Sequence, residues 1–406
     1  MANEVELLTP ALEAALAAWE NWKKGKTLLE HYSLGADILD PLAAAIEGCD
    51  VYKAIVGKPI FSGFSGVVIF ASTLAAPLLY RAEPEYRMGI AGAIAWFKKV
   101  LTTTHAAGNY EVAVWGIKPD TKVEIAKGCL LQPYDAAPDS SLKRRIKDLT
   151  RKSWDGAVWH SARFFGVPGA IMTQTVAAFP YLGRPDLSFQ ELHRLDEETK
   201  DLLAFLQASV TGNPLVGASW FSYEDQELDF NSHENHLSWC VPEVEPIVRE
   251  HALVKVDGLS ETTVAFFKLP QDYREKVIRS ADRFVLSQCR HQRIDRILDL
   301  AIAFEIMTGG GKGDNAPPGW KVSVRSAQLI GGALAYRQKV RDALSSLYRF
   351  RNAGSHGGSP KAAEVAEQDA VFNECSSIYR VLVDSVLALG TTPDWPSIEL
   401  EPRTRK

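Results

Sequence analysis

Cysteine is scarce in this chain. Five occur among 406 residues, at positions 49, 129, 240, 289 and 375, and no two of them form a C-x-x-C pair. So small, odd and scattered a set argues against a disulfide framework or a structural zinc knuckle and fits a reducing cytoplasm. No leader is expected either: MANEVELLTPALEAAL carries Glu4 and Glu6 where a signal peptide would be basic. One charge-free run, Pro59 to Tyr80, is long enough to span a bilayer. Pro59, Pro77, Gly63, Gly66 and four Ser or Thr residues interrupt it. Phe61, Phe64, Val67, Val68, Ile69 and Phe70 read better as buried strand or core, and no membrane partner is expected. Internal repeats and low-complexity tracts are absent as well. Composition is ordinary, with 46% hydrophobic and 23% charged residues. That excludes a disordered or collagenous chain, and the length predicts two domains.

Charge is unevenly placed along the chain. Residues 273–406 hold 20 Lys and Arg against 15 Asp and Glu, a net +5, leaving 25 against 35 in residues 1–272, a net −10. Within 273–356 the excess is sharpest, 15 basic to 7 acidic. A basic C-terminal part can bind a polyanion, or it can simply carry solvated helix faces.

The expected fold class is α+β. Residues 1–245 read as a mixed α/β domain with β-hairpins, 246–272 as a linker, 273–392 as an all-α helical bundle and 393–406 as a tail. In the first part a helix is expected from Pro10 to Lys24, with Thr9 as cap and Pro10 in the first turn. Glu111–Ile117 and Lys122–Leu131 read as two strands of a hairpin turning at Lys118-Pro119-Asp120. Further strands are expected at Gly169–Phe179 and Leu215–Tyr223, with a helix over Phe189–Ala208 between them. Pro133–Ser141 reads as a loop. After about Pro270 strand signals vanish, and helices are expected near 273–290, 292–307, 322–335, 337–353 and 361–389.

Two of these helices carry a charge on an apolar stripe. At about 100° per residue, Ile294, Ile297, Leu298, Ala301 and Ile302 share a face, and Glu305 falls about 20° from Ile294, while Asp295 and Asp299 fall at or beyond its edge. A carboxylate facing a core must be paired or protonated. Val340, Leu344, Leu347 and Tyr348 define a second apolar face, and Arg351 lies about 20° from Val340. A guanidinium cannot shed its proton, so it needs an anion. The simplest expectation is that Glu305 and Arg351 meet, either as an inter-helix salt bridge without chemistry or as part of a site.

His356 favours a site. In Tyr348-Arg-Phe-Arg-Asn-Ala-Gly-Ser-His356-Gly, Gly354 can end the helix and turn His356 back beside Arg351. An Arg, a His and a nearby Asn suit phosphodiester cleavage without metal. The Arg holds the phosphate and its developing charge. The His moves a proton from a 2′-hydroxyl or to a leaving oxygen.

Asp295-Arg-Ile-Leu-Asp-Leu-Ala-Ile-Ala-Phe-Glu305, then Arg325-Ser-Ala, then Leu347-Tyr-Arg-Phe-Arg351-Asn-Ala-Gly-Ser-His356-Gly, in this order, resemble the Apea-like branch of the HEPN superfamily. The similarity covers about 273–390. It implies a dimerising helical bundle with a metal-independent ribonuclease site at the dimer interface. Arg351, Asn352 and His356 would then be active-site residues, Glu305 the acid of the preceding motif, and Arg349, Arg325, Tyr348 and Lys312 substrate contacts. No metal or cofactor is implied. The implied partners are RNA, with tRNA as one option, a second copy of the chain, and a phage-derived trigger acting on the N-terminal region. Many members serve in cytoplasmic anti-phage defence by abortive infection. A non-catalytic RNA- or nucleotide-binding module, or a phage-sensing dimer, remains the alternative.

Three other signals carry less. Gly309-Gly-Gly-Lys-Gly is not a phosphate-binding P-loop, because Gly313 follows the Lys and a helix precedes it. His233-Glu-Asn-His236 near Cys240 has metal-like spacing but no evident fourth ligand. Trp154, Trp159, Trp220 and Trp239 could stack bases, though core use is the simpler reading.

Overall fold

The computed structural model describes residues 2–23, 35–62, 65–83, 88–140, 143–144, 146–148, 166–182, 185–210, 212, 214–228, 238–239, 251–309, 318–355 and 362–400. The chain is α+β. Two compact units divide it: Met1–Glu111 with Thr175–Leu195 and Trp220–Ser238, and Val112–Gln174 with Asp196–Ser219 and Trp239–Lys406. This differs from a boundary near 246–272: the C-terminal helices share a unit with 112–174 and 196–219.

The first unit begins with α1 (Ala2–Lys23), α2 (Ala36–Gly48) and α3 (Asp50–Lys53). The first helix starts well before Pro10, which lies inside it and is exposed. Leu8, Leu12, Ala15 and Trp19 form one buried stripe that runs through the proline, so packing carries the helix across a residue that local rules place at its start. The charge-free run splits into the hairpin β1 (Pro59–Ser62) and β2 (Ser65–Val68) and the helix α4 (Ala71–Ala82). Val68 and Phe70 are exposed rather than core, and Phe64 lies outside the described residues. Phe70 precedes α4, where its N–H donates to Thr73 Oγ1. The helix α5 (Gly89–Thr102) follows. Among the described residues, no helix is long and apolar enough to cross a membrane.

A six-stranded sheet has the order β5-β6-β7-β3-β8-β9. Its strands are β3 (His105–Trp115), β5 (Val123–Ala126), β6 (Cys129–Pro133), β7 (Ala170–Pro180), β8 (Leu215–Tyr223) and β9 (Ser238–Trp239). The helix α6 (Pro185–Ser209) lies in sequence between β7 and β8. The hairpin turn sits at Lys127-Gly128, inside the stretch read as one strand, with Ala126 opposite Cys129 and Gly128 at φ 73°. Residues 118–120 are not a turn. The strand β4 (Ile117–Pro119) pairs in parallel with β10 (Ala252–Val254), and the Asp120 N–H donates to Val254 O at 3.0 Å. A partner so distant in sequence overrides the local turn signal of Lys-Pro-Asp.

The rest of the second unit is helical. It holds α7 (Leu259–Lys268), α8 (Gln271–Cys289), α9 (Arg293–Thr308), α10 (Pro318–Ile330), α11 (Leu334–Ser355), α12 (Ala362–Leu389) and α13 (Trp395–Leu400). Five of these match the expected helices, and the described residues between 271 and 389 contain no strand. The supposed linker holds β10 and α7, and the supposed tail holds α13. At the centre stands α9, in contact with α8, α10, α11 and α12. Phe284 stacks on Tyr379 at 4.4 Å, and Phe304 meets Tyr379 edge-on at 5.5 Å. The Ser280 hydroxyl bridges Ala303 O at 2.6 Å and Tyr379 Oη at 2.8 Å. Two terminal carbonyls of α9 find side-chain donors: Tyr273 Oη donates to Met307 O and Arg325 Nη1 to Thr308 O.

Candidate functional site

With helices on several sides, α9 buries a broader and differently centred face than a single stripe. Ile297, Leu300, Ala301, Ala303, Phe304, Met307 and Thr308 are buried, whereas Ile294, Leu298 and Ile302 are half-buried. The buried face is therefore rotated by about 90–100° from the expected one at 100° per residue. Two side chains correct the sequence reading. Glu305 lies at the edge of the core, its side chain 26% exposed. Asp299, expected outside, is the buried acid, with its side chain 7% exposed. Arg283 Nη1 donates to Asp299 Oδ1 at 3.1 Å and Arg290 Nε to Oδ2 at 2.9 Å, so both oxygens are satisfied.

On α11, Val340, Leu344, Leu347 and Tyr348 are buried, as the wheel requires. Tyr348 packs under the N-terminus of α10: a Cβ added to Gly319 would lie 3.0 Å from Tyr348 Cδ1, so a side chain there would press on the ring. The Tyr348 hydroxyl donates to Glu305 Oε1 at 2.9 Å. Burial, then the Glu305 charge, raises the Tyr348 pKa, so the phenol stays a donor. Arg351 Nη2 lies 3.4 Å from the same Glu305 oxygen. The guanidinium sits 5.8 Å from the centre of the Tyr348 ring and keeps about a third of the side chain exposed, at 32%. One carboxylate oxygen thus holds a buried phenol and a half-exposed guanidinium.

The neighbours sort by exposure. Asn352 is exposed, and its Oδ1 lies 3.5 Å from Arg351 Nη1. Arg349 is exposed and ion-paired with Glu367 of α12, so its charge is already matched. Tyr348 is buried and offers no surface to a ligand; it positions Glu305. Arg325 is not a substrate contact either. Its side chain is 6% exposed, with Nε donating to Glu399 Oε1 at 2.7 Å and Nη1 to Thr308 O at 2.8 Å. It ties α10 to α9 and α13. Lys312 and His356 lie outside the described residues, as do Trp154, Trp159, His233, His236 and Cys240. Gly354 does not end the helix: α11 runs through it to Ser355. Trp220 is a core residue whose indole N–H donates to Glu111 Oε2 at 2.6 Å. Among the described residues, no group of three or more His, Cys, Asp or Glu is placed to hold a metal ion.

No family model matches the chain, and no curated protein or solved structure matches it. The geometry therefore stands by itself. Sequence reasoning missed the state of two residues on these helices. Asp299 could have been found by asking which acid lies within reach of Arg283 and Arg290. Trp320, exposed on α10 next to Gly319, carries no sequence signal of its exposure.

Proposed function

We propose that the chain is a metal-independent endoribonuclease of the HEPN type, acting through Arg351 and His356. The observation that supports this most is the state of Arg351. It is half-exposed in the last turns of α11, braced by Glu305 and Tyr348, and five residues before His356. A guanidinium held this way can accept a phosphate without having to be ordered first. The 2′-hydroxyl oxygen attacks the adjacent phosphorus and gives up its proton to a base. The P–O5′ bond breaks, and the leaving oxygen takes up a proton. His356 serves in this proton traffic, Arg351 stabilises the charge on the pentacovalent phosphorus, and Asn352 adds a polar contact. The products carry a 2′,3′-cyclic phosphate and a 5′-hydroxyl. One Arg supplies little charge for this work, so two copies of the site facing each other in a homodimer form part of the reading. The acidic N-terminal region controls access or recognises a trigger, as in anti-phage defence.

One observation favours a second reading. Glu305 already matches the Arg351 charge, as in an anion-binding module that does no chemistry. The two readings separate in one experiment. The full chain is incubated with total RNA in EDTA beside a His356→Ala control. Cleavage by the unmutated chain alone, with cyclic-phosphate ends, supports the enzyme. RNA binding without cleavage leaves the binding module.

A further inference from the structure

We propose that Trp320 is a base-stacking platform for unpaired RNA, beside the phosphate position at Arg351. This rests on the ribonuclease reading above and adds to it a substrate class: single-stranded RNA with at least one base free to stack.

Four observations meet here. Most of α10 is buried, with Val322, Ser323, Arg325, Ser326, Ala327, Leu329 and Ile330 all in the core. Trp320, the largest side chain of the helix, is nonetheless 51% exposed. Leaving so much indole in water forgoes burial energy that the helix gains almost everywhere else. Among the described residues it stacks on no ring and lies under no cation. Its neighbour Gly319 sits against the Tyr348 ring, at 3.0 and 3.1 Å from a Cβ position to Cδ1 and Cγ. That ring's hydroxyl holds Glu305, which holds Arg351. The indole thus begins one residue from the contact that braces the guanidinium. The helix turn that carries it is fixed as well: Ser323 Oγ donates to Gly319 O at 2.7 Å and approaches Ser345 Oγ of α11 at 3.5 Å.

An exposed indole one residue from the glycine that packs on Tyr348, and a half-exposed guanidinium braced through Tyr348 and Glu305, supply the two things a single strand presents together, a π-face and a phosphate. Every base has such a face, so the platform selects unpaired nucleotides rather than a sequence. A base inside a duplex cannot reach it without unstacking.

The test measures binding by the full chain carrying His356→Ala, in EDTA, to two labelled probes of equal length. One is an unstructured RNA; the other is an abasic strand with the same number of phosphates. Adding Trp320→Ala is expected to weaken RNA binding by about 5- to 100-fold, the range for losing one base–aromatic stack, and to leave the abasic probe unaffected. Trp320→Phe is expected to keep most of the affinity. Arg351→Ala is expected to weaken both probes. An unchanged RNA affinity in Trp320→Ala, with the Arg351→Ala loss intact, overturns the platform and leaves the site. An equal loss on both probes, or a changed oligomeric mass without a change in RNA affinity, also overturns it. If Arg351→Ala binds both probes as well as its parent, the anion site fails, and the ribonuclease reading fails with it.

Discussion

Two carboxylates on α9, Asp299 and Glu305, solve opposite problems. Asp299, toward the middle of the helix, is buried and saturated by two arginines. Glu305, one and a half turns later, is half-exposed and shares one oxygen between a phenol and a guanidinium. At Asp299 the acid is the buried partner and the arginines reach solvent. At Glu305 acid and arginine are both partly wet, and only Tyr348 is sealed. The first arrangement buries its acid; the second leaves its acid and its cation partly in water. A carboxylate paired with arginine can thus be sealed or left at the surface, and the acid marks the difference: Asp299 is 7% exposed and Glu305 26%, while their arginines are similarly wet.

The sharpest way to break this contrast is to remove the cation beside Glu305 and the histidine that follows it. Arg351→Ala and His356→Ala are each expected to reduce RNA cleavage to background in a gel assay with EDTA. Stability should hardly move: a pair exposed at 32% and 26% contributes about 1 kcal/mol or less. A large loss of stability in Arg351→Ala, measured by urea unfolding, would place this pair in the same class as the Asp299 cluster.

Asp299→Ala should show the reverse. It takes the matched charge from Arg283 and Arg290. The expected loss is about 2 kcal/mol, below the 3–5 kcal/mol for a pair buried at both ends, because the two arginines can rehydrate. Cleavage per folded molecule should stay the same. An active-site effect at constant folded fraction would contradict the division of labour.

A smaller effect tests the shared oxygen of Glu305. Tyr348→Phe removes one hydrogen bond to a carboxylate and keeps the ring under Gly319. It is expected to cost about 1.5 kcal/mol of stability and to lower cleavage partially, since Arg351 keeps its acid but loses part of that acid's orientation. Glu305→Gln should behave similarly, above Arg351→Ala and below wild type. Wild-type kinetics in Tyr348→Phe would mean that the phenol is packing only.

These contrasts also show what the sequence could and could not tell. The five long helices from Gln271 to Leu389 were legible because each carries apolar residues at helical spacing. That Glu305 and Arg351 meet was legible from the logic of paired charges, although both lie at the edge of the core. Which face of α9 is buried was not legible, because four helices surround it and no single stripe describes that. The pairing of β4 with β10 was hidden for a related reason: residues 117–119 meet 252–254, and only the fold brings them together. Arg325 looked like a ligand contact because arginines in such motifs often are. Its partners Glu399 and Thr308 O lie in segments that sequence spacing does not connect.

A third carboxylate extends the comparison to a case where burial outweighs the nearby cation. Asp201 of α6 lines a groove with Glu197, Glu198, Arg274, Glu275 and Arg279. Burial is the main cause of its raised pKa; Arg274 opposes the shift, and Glu197 and Glu275 add to it. The folded chain therefore holds this proton to a higher pH than the unfolded chain does. As pH rises from the ordinary carboxylate range through the raised value, the unfolded chain releases the proton first, and stability falls. At neutral pH Asp201 is thus a small liability. Asp201→Asn should raise the melting temperature slightly at pH 7, and the gain should fade as pH drops toward 4. A gain of equal size at both pH values would trace the effect to packing rather than to ionisation, and would remove Asp201 from the series.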